Sequence, residues 1–394
     1  MESRVGLRVK SQVAFTGKIT GRRYPRRGSS EDDELSDAIE RRILAEVQAV
    51  PGLSLAATEA RVRVAVDKDN AAVALTLGYP LADEAVAALR GGITALLAQD
   101  RISLASLEIR HRIAAHAVQA NLSPLPRVRN ILAIGSGKGG VGKSTTAVNL
   151  ALALAGAGAK VGVLDADVYG PSVPMMLGLS GRPDSPDGKS IEPMRAHGIE
   201  AMSIGLLVEQ DTPMIWRGPM ATSALTQLLT ETLWGSSGDE SLDYLIVDLP
   251  PGTGDIQLTL AQKIPVAGAI VVTTPQDVAT LDARKALKMF EKVQVPVLGI
   301  VENMAVHVCT QCGHAEHLFG QGGGERMAAQ YGVPLLGSLP LEIAIREQGD
   351  AGIPVVAAAP ASAAAQAYRQ AAQQLVARLA ARPRAAMPIA SSLV

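Results

Sequence analysis

The sequence predicts a doubly wound α/β domain on a mostly parallel sheet, with a smaller α+β domain ahead of it. Three observations predict this. Short apolar runs at 131–134, 161–164, 244–249, 269–273 and 297–301 alternate with helical stretches. Strands buried on both faces read as continuous apolar runs, and strand–helix alternation puts helices on both sides of a parallel sheet. A glycine-rich segment, 135–145, joins the first run to a helical one, and such sheets bind ligands beyond the carboxyl ends of their strands. Residues 31–117 lack this rhythm and read as α-β-β-α-β. At 394 residues the chain has room for more than one domain.

Taken in order, residues 1–30 carry eight Lys and Arg against one acid and read as a basic, flexible tail. The small domain, 31–117, opens with a helix. Leu35, Ile39, Ile43, Leu44 and Val47 recur at helical spacing behind the acids Glu31, Asp32, Asp33 and Glu34. Residues 61–66 alternate as a half-buried strand, and 72–77 give a second. Residues 83–99 read as a helix weakened by Gly91 and Gly92, and 104–110 as a third strand. Residues 118–130, with Pro124 and Pro126, read as a linker. The α/β domain fills 131–381 and closes with a helix at 368–379. A second flexible tail takes 382–394.

Composition narrows the function classes. Apolar residues at 47% and charged residues at 19% exclude a largely disordered chain. A net charge of −1 leaves no chain-wide basic field, and 3% aromatics supply few stacking platforms, so no nucleic-acid partner is expected. No apolar run reaches the ~18–20 residues that span a bilayer, so no membrane partner is expected either. Two cysteines exclude a disulfide-built scaffold and point to a cytoplasmic setting.

The strongest signal is GKGGVGKS at 137–144, which fits GxxxxGK[ST] between a strand and a helix. Glycines let the backbone of Gly137, Lys138, Gly139, Gly140, Val141 and Gly142 turn its N–H groups toward phosphate oxygens. The helix start at Ser144 and Thr145 adds partial positive charge. Lys143 would meet the β- and γ-phosphates, and the Ser144 hydroxyl would meet Mg²⁺. Lys138, five residues before Lys143, is not required by an ordinary phosphate loop.

Carboxylates follow two of the other predicted strands. Asp165 and Asp167 come after 161–164, and Asp248 closes a run that starts at Tyr244. Asp167 is the candidate for orienting an attacking water, and Asp165 for supporting Mg²⁺ water or loop geometry. Asp248 suits a place beside Mg²⁺. Gly252 and Gly254 would let the next loop move when a γ-phosphate leaves. Asp255 is expected to cap the following helix. Asn303, after another predicted strand, offers a donor and an acceptor side by side.

The only cysteines, Cys309 and Cys312, have two residues between them and Gly313 after them. Such a pair can grip one metal centre. Three readings stand: a redox dithiol, a zinc site completed by two of His307, His314 and His317, or half of an iron–sulfur site. A [4Fe–4S] cluster commonly takes four thiolates, so the last reading calls for two chains about a two-fold axis.

KGGVGKST at 138–145 resembles the deviant Walker A loop of the MinD/ParA/nitrogenase-iron-protein class. That resemblance implies a face-to-face homodimer with Lys138 reaching the partner's ATP, and base contact at Asn303. Residues 130–380 resemble the Mrp/ApbC family of iron–sulfur cluster carrier ATPases. The resemblance rests on KGGVGKSTTAVNLA, LDADVYGPSVPMMLG, SPDGKSIEPM, IWRGPM, VDLPPGTGDIQLTLAQ, TTPQDVA, GIVENM and CTQCGH. It implies slow ATP hydrolysis, a [4Fe–4S] cluster held between subunits by Cys309 and Cys312, and transfer to apoproteins in company with assembly scaffolds. A MinD/ParA-type positioning ATPase and a zinc-stabilised ATPase scaffold are the alternatives. The first domain resembles the small iron–sulfur-assembly domain of bacterial members. It lacks their Asp-Pro-Glu turn, with Val50, Pro51, Gly52 and Leu53 standing there, and no reactive cysteine comes directly after the strand at Leu75–Leu77. It is therefore read as a partner-docking or regulatory module.

Overall fold

The computed structural model describes residues 31–207, 218–235 and 241–385. The basic tail, the start of the IWRGPM motif and residues 386–394 lie outside them. The first part of the chain builds helix α1 (Glu31–Glu46), a short hairpin β1 (Gln48–Val50) and β2 (Leu53–Ser54), then β3 (Arg61–Asp67) and β4 (Asn70–Leu77). Helix α2 (Asp83–Gln99) and strand β5 (Ser103–His111) complete it. Strands β3, β4 and β5 form one sheet, with β4 antiparallel to β3 and parallel to β5. Along β3 and β4 exposed and buried residues alternate, because one face lies on the apolar sides of α1 and α2.

The second part begins with β6 (Val128–Ser136), α3 (Lys143–Gly156), β7 (Val161–Asp165), α4 (Val173–Met176), β8 (Met194–Ala196) and β9 (Ile199–Ser203). It continues with α5 (Gly218–Glu231), β10 (Leu242–Asp248), α6 (Asp255–Lys263), β11 (Val266–Thr273), α7 (Asp277–Lys292) and β12 (Val297–Val308). It ends with β13 (Ala315–Glu316), α8 (Gly323–Tyr331), β14 (Leu335–Pro340), α9 (Ile343–Asp350), α10 (Val355–Ala358) and α11 (Ala363–Ala380). Nine strands make one sheet in the order β13-β12-β11-β6-β10-β7-β9-β8, with β14 also on β12. Only β8 and β13 run antiparallel to their neighbours. Every residue of β7, β10 and β11 is buried, as a sheet covered on both faces requires. Strand β10, paired in parallel with β6 on one side and β7 on the other, brings Ser136, Asp165 and Asp248 to one edge: Asp248 pairs with both Ile134 and Asp165.

Two boundaries differ from the sequence reading. Strand β6 starts at Val128, three residues before the predicted 131, because Leu242 and Tyr244 of β10 pair with Val128 and Asn130. At the other end, the segment read as a flexible tail is pinned at its start. Ala385 N–H donates to the Ala115 carbonyl at 2.9 Å, and Arg384 pairs with Glu59 at 2.7 Å.

The two parts share a continuous apolar core through α11 and α3. Along α11, Arg369 binds Glu84 at 2.6 Å, Gln373 donates to the Pro80 carbonyl and Gln374 to that of Pro51. The connecting segment is held by buried Asn130. Its Oδ1 accepts the His116 backbone N–H at 3.0 Å, and its Nδ2 donates to the carbonyls of Ala114 and Asp243. Asn130→Ala strands buried backbone groups, so we expect a loss of about 1–3 kcal/mol in urea unfolding. An unchanged midpoint and slope would show that the connection is held elsewhere.

Candidate functional site

The glycine-rich loop leaves β6 at Ser136 and re-enters helix at Lys143. Two of its glycines are there by necessity. A Cβ on Gly137 would lie 2.0 Å from the Asp282 carbonyl carbon of α7. One on Gly142, where φ is +80°, would lie 2.1 Å from Asn303 Nδ2. Gly142 takes the cap position of α3, and α3 carries no side-chain cap. The start of α3 therefore opens onto the loop with no side chain capping its N–H groups, as an anion site requires.

Lys143 is buried at the first turn of α3. Its Nζ lies 2.6 Å from Asp248 Oδ1, 3.2 Å from the Ser144 hydroxyl and 3.8 Å from Asp167 Oδ2. The other Asp248 oxygen, Oδ2, is buried with no hydrogen-bond partner. Burial raises the Asp248 pKa against the pull of Lys143. Asp165 is fully buried beside it. Burial first, and the neighbouring Asp248 second, push Asp165 up to about 7. Asp165 also organises the following loop: Oδ1 accepts the Asp167 N–H, and Oδ2 accepts the Val173 N–H and the Ser203 hydroxyl. Strand ends thus bring Lys143, Ser144, Asp165, Asp167 and Asp248 together. Lys138 sits apart, half-buried in the loop, with its carbonyl accepting from Ser136. Gly139 and Gly140 are exposed at the loop tip, whereas Val141 is buried beneath it.

Asp255 does not cap α6. Gly254, in extended conformation, holds the cap position and Asp255 is the first helical residue, where its charge still favours the helix start. Asn303 is buried, and its Nδ2 donates to the Val141 carbonyl at 2.9 Å, bracing the phosphate loop from β12. Beside it opens a cleft of about 180 Å³, lined by Gly142, Thr145, Asn303, Met304, Leu341 and Tyr368 among others. The buried Tyr368 hydroxyl has no hydrogen-bond partner. The sequence reading missed Leu341 and Tyr368, since nothing local marks residues that gather only in the fold.

Strand β12 continues past Asn303 to the cysteines. Met304 takes φ +57° and the pairing with β14 shifts between Glu302 and Val306. Beyond it β12 pairs with β13 around a tight turn, where Cys309 N–H donates to the His314 carbonyl and Gly313 N–H to that of Cys309. Cys309 is half-buried and Cys312 exposed, both as free thiols. The Cys309 thiol lies below its ordinary pKa, first because the Cys312 N–H bonds its sulfur and then through that of Gln311. This arrangement favours thiolate, the metal-binding form. His307 and His317 place Nδ1 at 2.9 and 2.7 Å from the carbonyls of Leu341 and Ala305. Among the described residues no group of three or more His, Cys, Asp or Glu stands ready to hold a metal.

Comparison with known proteins follows this geometry. The family model described as ParA, NUBPL iron-transfer P-loop NTPase, matches residues 127–376. An iron–sulfur cluster carrier protein of Pseudomonas fragi is 59% identical over 265 residues, 67% of this chain and 91% of its own length. The iron–sulfur cluster carrier protein of Escherichia coli K12 is 58% identical over 65% of this chain and 68% of its own. The iron–sulfur cluster transfer protein NUBPL of Mus musculus is 49% identical over 61% and 74%. Among solved structures, a nucleotide-binding protein from Archaeoglobus fulgidus in complex with ADP is 38% identical, with a TM-score of 0.51. That match covers 57% of this chain and 87% of the other. The family model spans well over half of the chain, so the chain belongs to the family of NUBPL iron-transfer P-loop NTPases.

Proposed function

We propose that this protein is an iron–sulfur cluster carrier of the cytoplasm that binds and hydrolyses ATP. In this reading two copies hold a [4Fe–4S] cluster between their Cys309 and Cys312 pairs and pass it to apoproteins, receiving it from assembly scaffolds. The observation that carries the reading is that one strand serves both centres. β12 braces the phosphate loop at Asn303 and reaches the thiols at Cys309, six residues or ~20 Å further on. The carrier and transfer names of the relatives support it.

The residues suit the chemistry asked of them. Lys143 brings a buried positive charge to the phosphates, and Gly137, Lys138, Gly139, Gly140, Val141 and Gly142 bring backbone donors. The Ser144 hydroxyl and the unpartnered Asp248 Oδ2 fit Mg²⁺, which prefers hard oxygen ligands. Bound there, Mg²⁺ would neutralise phosphate charge as the γ-phosphoryl group moves to water. Asp167, on a loop held by Asp165, would orient that water, and Lys138 would serve the partner's nucleotide. The cleft beside Thr145 and Asn303 has room for the base. Two thiols per chain, one of them biased to thiolate, make half of a four-thiolate site.

Lys143→Ala should lower phosphate release by about two orders of magnitude or more, since it removes a charge aimed at the reacting group. Wild-type turnover in this variant would remove the phosphate-loop assignment. For the cluster, wild-type protein reconstituted anaerobically should carry iron and sulfide in a species of twice the chain mass. Cys309→Ala and Cys312→Ala should each reduce both to background, and unchanged content in both variants would overturn carriage at this pair.

A further inference from the structure

Among the described residues, nothing covers one face of the small domain's sheet. Across β3, β4 and β5 the register sets Arg61 opposite Thr76 and Arg110, and Arg63 opposite Ala74 and Glu108. These side chains alternate with the buried ones and, apart from half-buried Thr76, are exposed. Helices α1 and α2 cover only the opposite face. The outer edge of β3 is closed to strand addition, since Glu40 and Ser36 of α1 accept the N–H groups of Val64 and Val66.

Charge on this face is uneven. Arg110 pairs with Glu108 at 2.5 Å. Arg61 and Arg63 have no ion pair or side-chain hydrogen bond among the described residues. Two strand positions separate them, which sets their stems ~6.6 Å apart on one side. Glu108 lies two strand spacings from Arg63, or roughly 9–10 Å, too far to neutralise it. Between them stands Ala74, which lets a partner backbone come close.

We infer that this face is a docking surface for an extended acidic protein segment lying along β3. Carboxylates at alternate positions of an extended chain repeat at the same ~6.6 Å, so two of them meet Arg61 and Arg63 together, each in the two-pronged geometry guanidinium favours. Nucleic acid is the poorer occupant. The face has no aromatic side chain for bases to stack on. The surface stands apart from the nucleotide and thiol centres and does not depend on what they carry.

The test uses the full chain and two labelled 12-residue peptides in fluorescence anisotropy. One alternates Glu and Thr; the other has the same composition with all Glu in one block. The alternating peptide should bind more tightly, and added salt should weaken it. Arg61→Glu with Arg63→Glu should weaken it by about tenfold or more, while ATP hydrolysis and the unfolding midpoint stay unchanged. Arg90→Glu with Arg101→Glu, elsewhere on the domain, should leave binding intact. A Lys/Thr peptide should in turn bind the Arg61→Glu, Arg63→Glu protein. Equal affinity for the two acidic peptides, or full binding after reversal of both arginines, would overturn the inference. So would tighter binding of a 20-nucleotide single strand lost in the same variant.

Discussion

The site rests on one buried ammonium among carboxylates. Lys143, Asp248, Asp167 and Asp165 converge where β6, β7 and β10 end, at the carboxyl edge of a sheet whose central strands are buried on both faces. Desolvation there penalises every charge, and one lysine cannot balance three acids. The excess appears as the raised pKa values of Asp165 and Asp248 and as an Asp248 oxygen with no partner. Such a cluster suits the divalent cation and polyphosphate proposed for it, since a cation there would settle the surplus acid. The loop must then hold its shape against its own repulsions. Contact of Gly137 with α7 and the Asn303 bond to Val141 supply that rigidity from two other elements.

Much of this was legible in the sequence because the signals are local. Strands β6, β7, β10, β11 and the start of β12 are continuous apolar runs, which only burial on both sides explains. The phosphate loop and the strand-end aspartates are written in consecutive residues. Strands β8, β9 and β14 left no such trace. β9 contains Glu200, β14 contains Gly337 and ends at Pro340, and β8 has three residues. Their strand character comes from neighbours already in the sheet. Long-range contacts were equally silent: the Asn303–Val141 bond joins residues 162 apart. The cleft needs β14, α9 and α11 to assemble before its lining exists. The expected cap at Asp255 failed for a local reason, since Gly254 adopts the extended cap conformation one residue earlier.

The joint between the two parts follows the same economy of burial. The segment read as a linker does not hang in solvent. Asn130 holds it at Ala114 and His116, and Gln119 takes the Val266 N–H while donating to the carbonyls of Ala261 and Ile264. Those two carbonyls close the end of α6, the helix that begins directly after the Gly252–Gly254 loop. The connecting segment is thereby seated on the helix that follows the Gly252–Gly254 loop, and α11 holds the small domain through Glu84 and Pro80.

Strand β12 decides how the nucleotide end can reach the thiols. Its pairing with β11 ends at Glu302, and its register with β14 breaks before Val306. Between these points Met304 holds a left-handed backbone, which costs about 1–3 kcal/mol for a residue of its kind. The hairpin carrying Cys309 and Cys312 therefore hangs beyond a strained joint, steadied by Val306 against Pro340 and by the carbonyl contacts of His307 and His317. Met304 itself borders the cleft. The lining of the cleft and the hairpin that carries the thiols thus share one residue, and its backbone is displaced from the strand minimum.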